Sequence, residues 1–258
     1  MTLHTAWAPV VQAPAASALL VDFDGTLAPI VSDPGQAAPR ADSVTALVGL
    51  ADRLALVAVV TGRPVAFVRA ALPDPRVVVV GQYGLERDDG SGVVTDPRVA
   101  AYAPAVEAAA RDLEQAWPAL RVERKGEIAI TLHWRERPDL APDAAAIAAV
   151  AEAHGLAAWP ARMACELRPP IEVDKGTAVT ELLGTRPVEV AAFAGDDEGD
   201  RRAFAALDEW CVAAPTRRAL RVAIASDESP TELVAAADLV VAGPRELAAQ
   251  LAALAAAI

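Results

Sequence analysis

Cysteine, histidine and aromatic residues are all scarce in this 258-residue chain, and each scarcity closes a class of explanation. Two cysteines, Cys165 and Cys211, cannot build a disulfide framework, and His4, His133 and His154 stand too far apart for a His/Cys zinc site. A bound metal would have to be held by carboxylates. Positive charge is short as well: 23 Lys and Arg against 35 Asp and Glu leave a net charge of −12, the opposite of a surface built to neutralise a phosphate backbone. Neither nucleic acid nor an anionic membrane is expected as a partner. Only 4% of residues are aromatic while 54% are hydrophobic, and alanine fills much of that quota, so helices should form easily. The one stretch without Lys, Arg, Asp or Glu that could pass for a leader or anchor, Thr2 to Val21, lacks a basic start and is interrupted by Pro9 and Pro14. Cleavage after Ala18 would also cut into an apolar run that reads as the first core strand, so a soluble cytoplasmic protein, with a monomer as the simplest state, is expected.

What is abundant is a particular alternation. Leu19 to Phe23, Leu54 to Val60, Val77 to Val80, Val190 to Ala194 and Leu239 to Val241 are near-continuous apolar runs bounded by Gly, Asp or Pro. Such runs suit strands covered on both faces, hence a parallel sheet between helices. Helical patterns over Ala41–Arg53, Pro64–Ala71, Lys175–Leu183, Asp200–Leu207 and Arg245–Ala257 supply those helices. In the last third, Ala-rich segments fit helix and strand about equally. The middle of the chain reads differently. After Glu86, the sequence Asp88-Asp89-Gly90-Ser91-Gly92 signals a hairpin. A long helical pattern follows from about Pro97 to Trp117, then strands over Arg121–Lys125 and Ile128–Trp134, a helix over Pro142–His154, and two short extended pieces before Pro169-Pro170. This predicts an α+β block inserted into an α/β core: residues 1–87 and 169–258 form the core and 88–168 the insert. Between positions 120 and 170 seven basic residues balance seven acidic ones, so the excess acid lies in the core segments.

The sharpest local signal is Asp22-Phe23-Asp24-Gly25-Thr26 at the end of the first apolar run. Residues i and i+2 of a strand share a side, so Asp22 and Asp24 are expected to face the crevice beyond the strand end while Phe23 turns into the core. An isolated pair of this kind is more often a polar strand end and a turn. Three further elements argue otherwise. Val60-Thr61-Gly62-Arg63-Pro64 sets a hydroxyl at a second strand end. Asp174-Lys175-Gly176 sets a lysine at a helix start, where the helix dipole disfavours a cation. Gly195-Asp196-Asp197-Glu198-Gly199-Asp200 crowds four acids behind a buried strand, which is costly without a compensating cation. Mg²⁺, which prefers oxygen ligands, suits that crowd.

In order and spacing these four elements resemble the motifs of the haloacid dehalogenase superfamily of phosphotransferases. The resemblance spans Asp22 to Asp200. It implies an α/β fold with a Rossmann-like parallel-sheet core carrying the insert as a small α+β cap, and Mg²⁺-dependent phosphoryl transfer through an aspartyl-phosphate. It makes Asp22 the nucleophile, Asp24 the general acid and then base, Thr61 a hydrogen-bond donor to the phosphoryl oxygens, and Lys175 a counter-charge. Asp22, the Asp24 backbone carbonyl and Asp196 would hold Mg²⁺, while Asp197 and Asp200 would orient Lys175 or metal-bound water.

More of the sequence is similar to trehalose-6-phosphate phosphatases of the bacterial type: Leu20 to Ile30; Gly81-Gln82-Tyr83-Gly84-Leu85-Glu86; Glu123-Arg124-Lys125-Gly126 leading to His133-Trp134-Arg135; and Glu166-Leu167-Arg168-Pro169. Trp134, Thr61 and Gly199 stand where that family commonly has Tyr, Ser and Thr. The first two keep ring and hydroxyl, and the third changes backbone without removing a ligand. In that family the insert is a cap that closes over the active site, and its substrate is a sugar phosphate. The expected substrate-binding residues are Arg63, Lys125, His133, Glu166 and Arg168. For Lys125 and His133 a surface salt bridge is an equal alternative. Glu166 and Arg168 share one strand face. Two other readings stay open: a phosphatase for a different sugar phosphate, of the sucrose-phosphate or glycosyl-phosphoglycerate kind, and a non-catalytic sensor of sugar phosphate.

Overall fold

A computed structural model describes residues 2–161, 163–227 and 229–258. Its contacts divide the chain into two compact units, one formed by Met1–Val94 with Val173–Ile258 and the other by Thr95–Glu172.

The first unit is built on a sheet whose strands are β1 (Ser17–Val21), β2 (Leu56–Val60), β3 (Val78–Gly81), β4 (Glu86–Asp88) and β5 (Val93–Thr95); β6 to β9 belong to the second unit, and β10 (Val190–Gly195), β11 (Arg218–Ala225) and β12 (Leu239–Ala242) complete the sheet. The order is β12-β11-β10-β1-β2-β3-β4-β5, parallel from β12 to β3, with β4 antiparallel to β3. Every residue of β1, β2, β3 and β10 is buried, which is why their sequences read as unbroken apolar runs. One face packs Leu19, Val21, Val57 and Val59 with Leu47, Leu50, Leu247 and Leu251 from the helices Ala41–Ala51 and Gly243–Ala257. The other packs Leu20, Ala58, Val60 and Phe193 with Val179, Leu182, Phe204 and Leu207 from the helices Lys175–Gly184 and Asp200–Val212. This is the expected Rossmann-like core.

Two elements differ from the sequence expectation. β11 carries Arg218 and Arg221 inside its eight residues, which breaks the apolar run that marks the other buried strands. Arg221 is held in the sheet by a fork of bonds to Asp238, at 2.9 Å from both Nε and Nη2. The β4–β5 hairpin belongs to the core sheet, whereas a cut at residue 88 would split it. Register ties Val80 to Arg87 and Gly81 to Glu86, and Asp88 pins the turn by accepting Gly90 N–H at 2.8 Å while pairing with Arg69 at 2.7 Å.

The second unit is an antiparallel sheet ordered β6-β7-β9-β8, from β6 (Arg121–Lys125), β7 (Ala129–His133), β8 (Ala157–Ala161) and β9 (Ala164–Arg168). Ile130, Leu132, Cys165 and Leu167 on one sheet face pack with Val106, Ala110 and Leu113 of helix Ala103–Ala116 and with Ile147 and Ala151 of helix Ala144–Ala153. The opposite face is polar. Among the described residues no helix is long and apolar enough to cross a membrane.

Candidate active site

β1 is the strand at which the chain order reverses: β2 and β3 follow to one side, β10, β11 and β12 to the other. In such sheets the crevice beyond the carboxyl ends at the reversal is where ligands bind. Asp22 sits there. Its backbone N–H extends the ladder by donating to Ala194 C=O at 2.8 Å, and its side chain is buried, 4% exposed.

The lysine of Asp174-Lys175-Gly176 reaches the same place. Asp174 caps the helix Lys175–Gly184 in a capping box: its carboxylate accepts Thr177 N–H at 2.9 Å, and Thr177 Oγ1 accepts Asp174 N–H at 3.0 Å. That cap fixes Lys175 at the first helical position, at the positive end of the dipole, where three carboxylates compensate. Lys175 Nζ lies 2.9 Å from Asp22 Oδ1, 2.7 Å from Asp200 Oδ1 and 3.3 Å from Asp197 Oδ1. Burial works against its charge, but the pull of Asp197, Asp200 and Asp22 outweighs burial and holds the ammonium well above its usual range.

Asp200, fully buried, ties the loop together. Its Oδ2 accepts the N–H groups of Asp196 at 2.8 Å and Asp197 at 2.9 Å. With Oδ1 taken by Lys175, both oxygens are engaged with protein donors. Asp22, Asp196 and Asp200 each offer a carboxylate oxygen within 4.8 Å of the others. Since Asp200 is occupied by its own donors, Asp22 and Asp196 are the pair with coordination capacity to spare.

Two neighbours of this cluster are absent from the sequence expectation. Thr26 Oγ1 donates to Asp196 Oδ1 at 3.0 Å. Gly25, at φ +77°, passes so close to Asp196 that an added Cβ would stand 2.0 Å from its Oδ2, so the position demands glycine for both space and backbone angle. The signal was the Gly-Thr pair directly after Asp24, which read only as a turn.

Asp24 does not join the cluster through its side chain. β1 stops at Val21, and the backbone past it bends, with Gly25 N–H donating to Ala28 C=O at 2.7 Å. The Asp24 carboxylate is gripped by Arg63 in a two-bond fork, Nε to Oδ2 and Nη2 to Oδ1, both 2.7 Å. Arg63 in turn stands on a fixed turn. Its N–H donates to Thr61 Oγ1 at 3.2 Å, its C=O accepts Gln82 N–H at 3.0 Å, and Thr61 C=O accepts Tyr83 N–H at 3.0 Å. Gln82 and Tyr83 hold left-handed angles, φ 50° and 60°, a strain that persists where surroundings over-determine it. A Cβ on Gly62 would meet the Tyr83 ring at 2.6 Å.

The remaining expected residues form a second group on the polar face of the second unit. Lys125 Nζ bonds Glu166 Oε2, which Thr131 Oγ1 also approaches at 3.4 Å. His133 Nε2 is 2.8 Å from Glu123 Oε2. Glu166 and Arg168 are each 4% exposed, and the Arg168 guanidinium carbon lies 4.4 Å from the centre of the Trp159 ring.

A family model described as trehalose-phosphatase matches residues 20–235. The chain belongs to the trehalose-phosphatase family. A trehalose-phosphate phosphatase of Mycobacterium marinum is 35% identical over 201 residues, which cover 74% of this chain and 51% of that protein. The chain thus spans about half the length of the curated relatives it matches. Among solved structures, a trehalose-6-phosphate phosphatase related protein superposes with a TM-score of 0.72 at 25% identity, covering 91% of this chain and 95% of that one. The C-terminal domain of the Candida albicans trehalose-6-phosphate phosphatase shares the fold, with a TM-score of 0.78 at 21% identity, over all of this chain and 98% of that one.

For a trehalose-phosphatase family member the carboxylate cluster has a measurable consequence. Burial first, then the charges of Asp200 and Asp197, push the Asp196 carboxyl from its ordinary 3.8 up to about 8. Burial likewise raises Asp22 and Asp200 against the opposing pull of Lys175. These are the marks of a donor set short of positive charge, so oxygen-seeking divalent cations fit it. From about pH 4 to about pH 8 the folded, metal-free protein holds a proton on Asp196 that the unfolded chain has lost, so this contribution to stability falls as pH rises. A divalent cation held by Asp196 would have to displace that proton. Titration calorimetry with Mg²⁺ at about pH 6, in buffers of different ionisation enthalpy, is expected to show proton release, with affinity rising until about pH 8 and levelling beyond. A pH-independent affinity would contradict the charge assignment.

Proposed function

We propose that this chain is a phosphoric monoester hydrolase that releases inorganic phosphate from trehalose 6-phosphate, through a covalent phosphate on Asp22. The observation that carries the reading is Asp22 itself: a buried carboxylate at the carboxyl end of the central strand, paired at 2.9 Å with a lysine that two further aspartates anchor. Attack by Asp22 Oδ on phosphorus forms the aspartyl-phosphate and breaks the bond to the sugar oxygen, which takes a proton from Asp24. Asp24 then accepts a proton from the water that attacks the aspartyl-phosphate, and inorganic phosphate leaves. Arg63 fixes the orientation of Asp24, because its two bonds leave the carboxylate little freedom to rotate. We assign Thr61 to the phosphoryl oxygens and Lys175 to the charge that builds on them.

Asp22 and Asp196, with the Asp24 carbonyl, would hold Mg²⁺, with Asp200 and Asp197 fixing loop and lysine behind them. When bound, the cation supplies charge neutralisation on the transferring phosphoryl group. We assign sugar recognition to the polar face of the second unit, where Lys125, Thr131, Glu166 and Arg168 are linked and His133 is held by Glu123. A sugar hydroxyl is distinguished best by buried charged or polar groups that are left unpaired when it is missing.

The test is phosphate release from trehalose 6-phosphate, sucrose 6-phosphate, glucosyl-3-phosphoglycerate, glucose 6-phosphate and p-nitrophenyl phosphate, with Mg²⁺ and with chelator. Trehalose 6-phosphate is expected to lead the panel, and chelator to abolish all activity. In Glu166→Ala and Arg168→Ala chains, hydrolysis of the preferred sugar phosphate is expected to fall on the order of 10²-fold while p-nitrophenyl phosphate is little affected. Equal losses on both would show that the two residues support the fold and do not read the sugar. A different leader in the panel would move the assignment to that sugar phosphate, and binding without turnover would make the protein a sensor.

A further inference from the structure

The polar face of the second unit carries one exposed aromatic residue at the edge of its charged network. Trp159 lies on β8, the edge strand, directly opposite Glu166 on β9. Directly paired residues of adjacent strands project to the same side of a sheet, and so do residues two apart along one strand. Trp159, Glu166 and Arg168 therefore share a face, the one turned away from the apolar cluster of Ile130, Leu132, Cys165 and Leu167. Trp159 is 41% exposed. Among the described residues it is the only exposed tryptophan; Trp7 is buried, and Trp117, Trp134 and Trp210 are half-buried.

An indole of that size held partly in water forgoes the burial that usually justifies a tryptophan. Here its orientation is nonetheless set. The Arg168 guanidinium covers the ring at 4.4 Å, a cation–π contact, and Arg168 is itself buried beside Glu166, with Nε 3.9 Å from Oε1. A flat apolar surface is thus fixed at the margin of a cluster of charged hydrogen-bonding groups. A pyranose ring asks for that combination. Its equatorial hydroxyls need charged or polar partners, while its axial C–H groups leave an apolar face that only a flat, rigid surface can cover without loss. Monosaccharide phosphates and aryl phosphates offer no second ring to cover.

We propose that Trp159 is a specificity-determining residue, a platform against which one hexose ring of a disaccharide phosphate packs, oriented by Arg168. The inference rests on the proposed sugar-phosphate reading and names what within the second unit selects a disaccharide. Loss of the platform removes apolar contact to the distal ring and touches neither the phosphoryl group nor the carboxylates of the first unit.

The experiment compares Trp159→Ala and Trp159→Phe with the unaltered chain on trehalose 6-phosphate, glucose 6-phosphate and p-nitrophenyl phosphate. Tryptophan fluorescence is followed in parallel while trehalose alone is added. In Trp159→Ala, KM for trehalose 6-phosphate is expected to rise about tenfold with the two smaller esters unchanged, and Trp159→Phe to recover most of the loss. Trehalose is expected to change the fluorescence of the unaltered chain and not that of Trp159→Phe. Equal losses on all three esters, or a fluorescence response that survives in Trp159→Phe, would overturn the platform. An unaltered chain that prefers the disaccharide ester while Trp159→Ala keeps the same preference would overturn the platform alone. An unaltered chain with no preference for the disaccharide ester would refute the substrate assignment and the platform together.

Discussion

A chain carrying Asp22→Asn is expected to fold and to lose the proposed phosphatase activity by a factor on the order of 10⁴ or more, the scale of removing a nucleophile. Asparagine matches aspartate in volume, so the packing at the end of β1 survives, where Asp22 is 3% exposed. Its carboxamide oxygen can still accept from Lys175, and the backbone bond to Ala194 is untouched. What disappears is the anionic oxygen to which the proposed function assigns the attack on phosphorus. Stability moves the other way from activity. Burial foremost, and the charges of Asp197, Asp196 and Asp24 after it, raise the Asp22 carboxyl against the pull of Lys175. A carboxyl whose folded value lies above its unfolded one stabilises most in acid and loses that contribution as pH rises. At neutral pH, without metal, the neutral amide is therefore expected to hold its melting temperature or exceed that of the unaltered chain. With Mg²⁺ the order should reverse, because the variant lacks one of the proposed ligands. Phosphate release, thermal melts with chelator and with Mg²⁺, and acid-quenched turnover of labelled substrate check all three points. Appreciable Mg²⁺-dependent turnover would sink the nucleophile, and labelled phosphate retained on the variant protein would do the same.

The core was legible because a buried parallel sheet leaves so plain a trace: β1, β2, β3 and β10 are all buried, hence all apolar in sequence. β11 was not, since Arg218 and Arg221 stand in it and the pairing that makes Arg221 tolerable comes from Asp238, 17 residues on. The β4–β5 hairpin announced itself by its turn residues but not by its allegiance. Asp88 is tied to Arg69 and β4 to β3, contacts with no local signature.

In the site, the four motif elements could be read because each sits at a strand or helix end, where polar residues after an apolar run are conspicuous. Their division of labour is not written in their spacing; only the family resemblance assigns it. Asp22 and Asp24 share a strand-like spacing, yet the chain leaves the strand at Val21, and the two carboxylates take different partners, Lys175 and Arg63. Asp196 and Asp200 lie four residues apart in one acidic loop. Beside that resemblance, the count of donors separates them in the structure, for both oxygens of Asp200 are engaged by two backbone N–H groups and Lys175. Thr26 and Gly25 gain their importance from Asp196, 170 residues from Thr26 in the chain.

Lys175→Met removes the one cation that the described contacts place among Asp22, Asp197 and Asp200, and the expected outcome is a double loss. Methionine keeps the length and apolar stem of the side chain, so the helix Lys175–Gly184 and its Asp174 cap remain. The carboxylates do not tolerate the change. Breaking a buried ion pair from one side costs about 3–5 kcal/mol, because the partner charges stay buried without compensation. Asp22 and Asp200, already raised by burial, rise further once the lysine that opposed burial is gone. Protonation can then relieve the site. Since both folded values move up, the variant's deficit is largest at neutral and alkaline pH and shrinks on acidification towards the ordinary carboxylate range. Mg²⁺ at the proposed site would relieve it too, so the rise in melting temperature on adding Mg²⁺ should exceed that of the unaltered chain. Turnover does not return with stability. On the proposed mechanism the charge that accumulates on the phosphoryl oxygens has lost a fixed partner, an expected deficit on the order of 10³-fold at saturating Mg²⁺. Melting temperatures across pH, with chelator and with Mg²⁺, together with kcat at saturating metal, separate the two roles. A variant as stable as the unaltered chain at neutral pH would show that the three carboxylates are not balanced by Lys175. One that recovers full turnover with Mg²⁺ would confine the lysine to holding the fold.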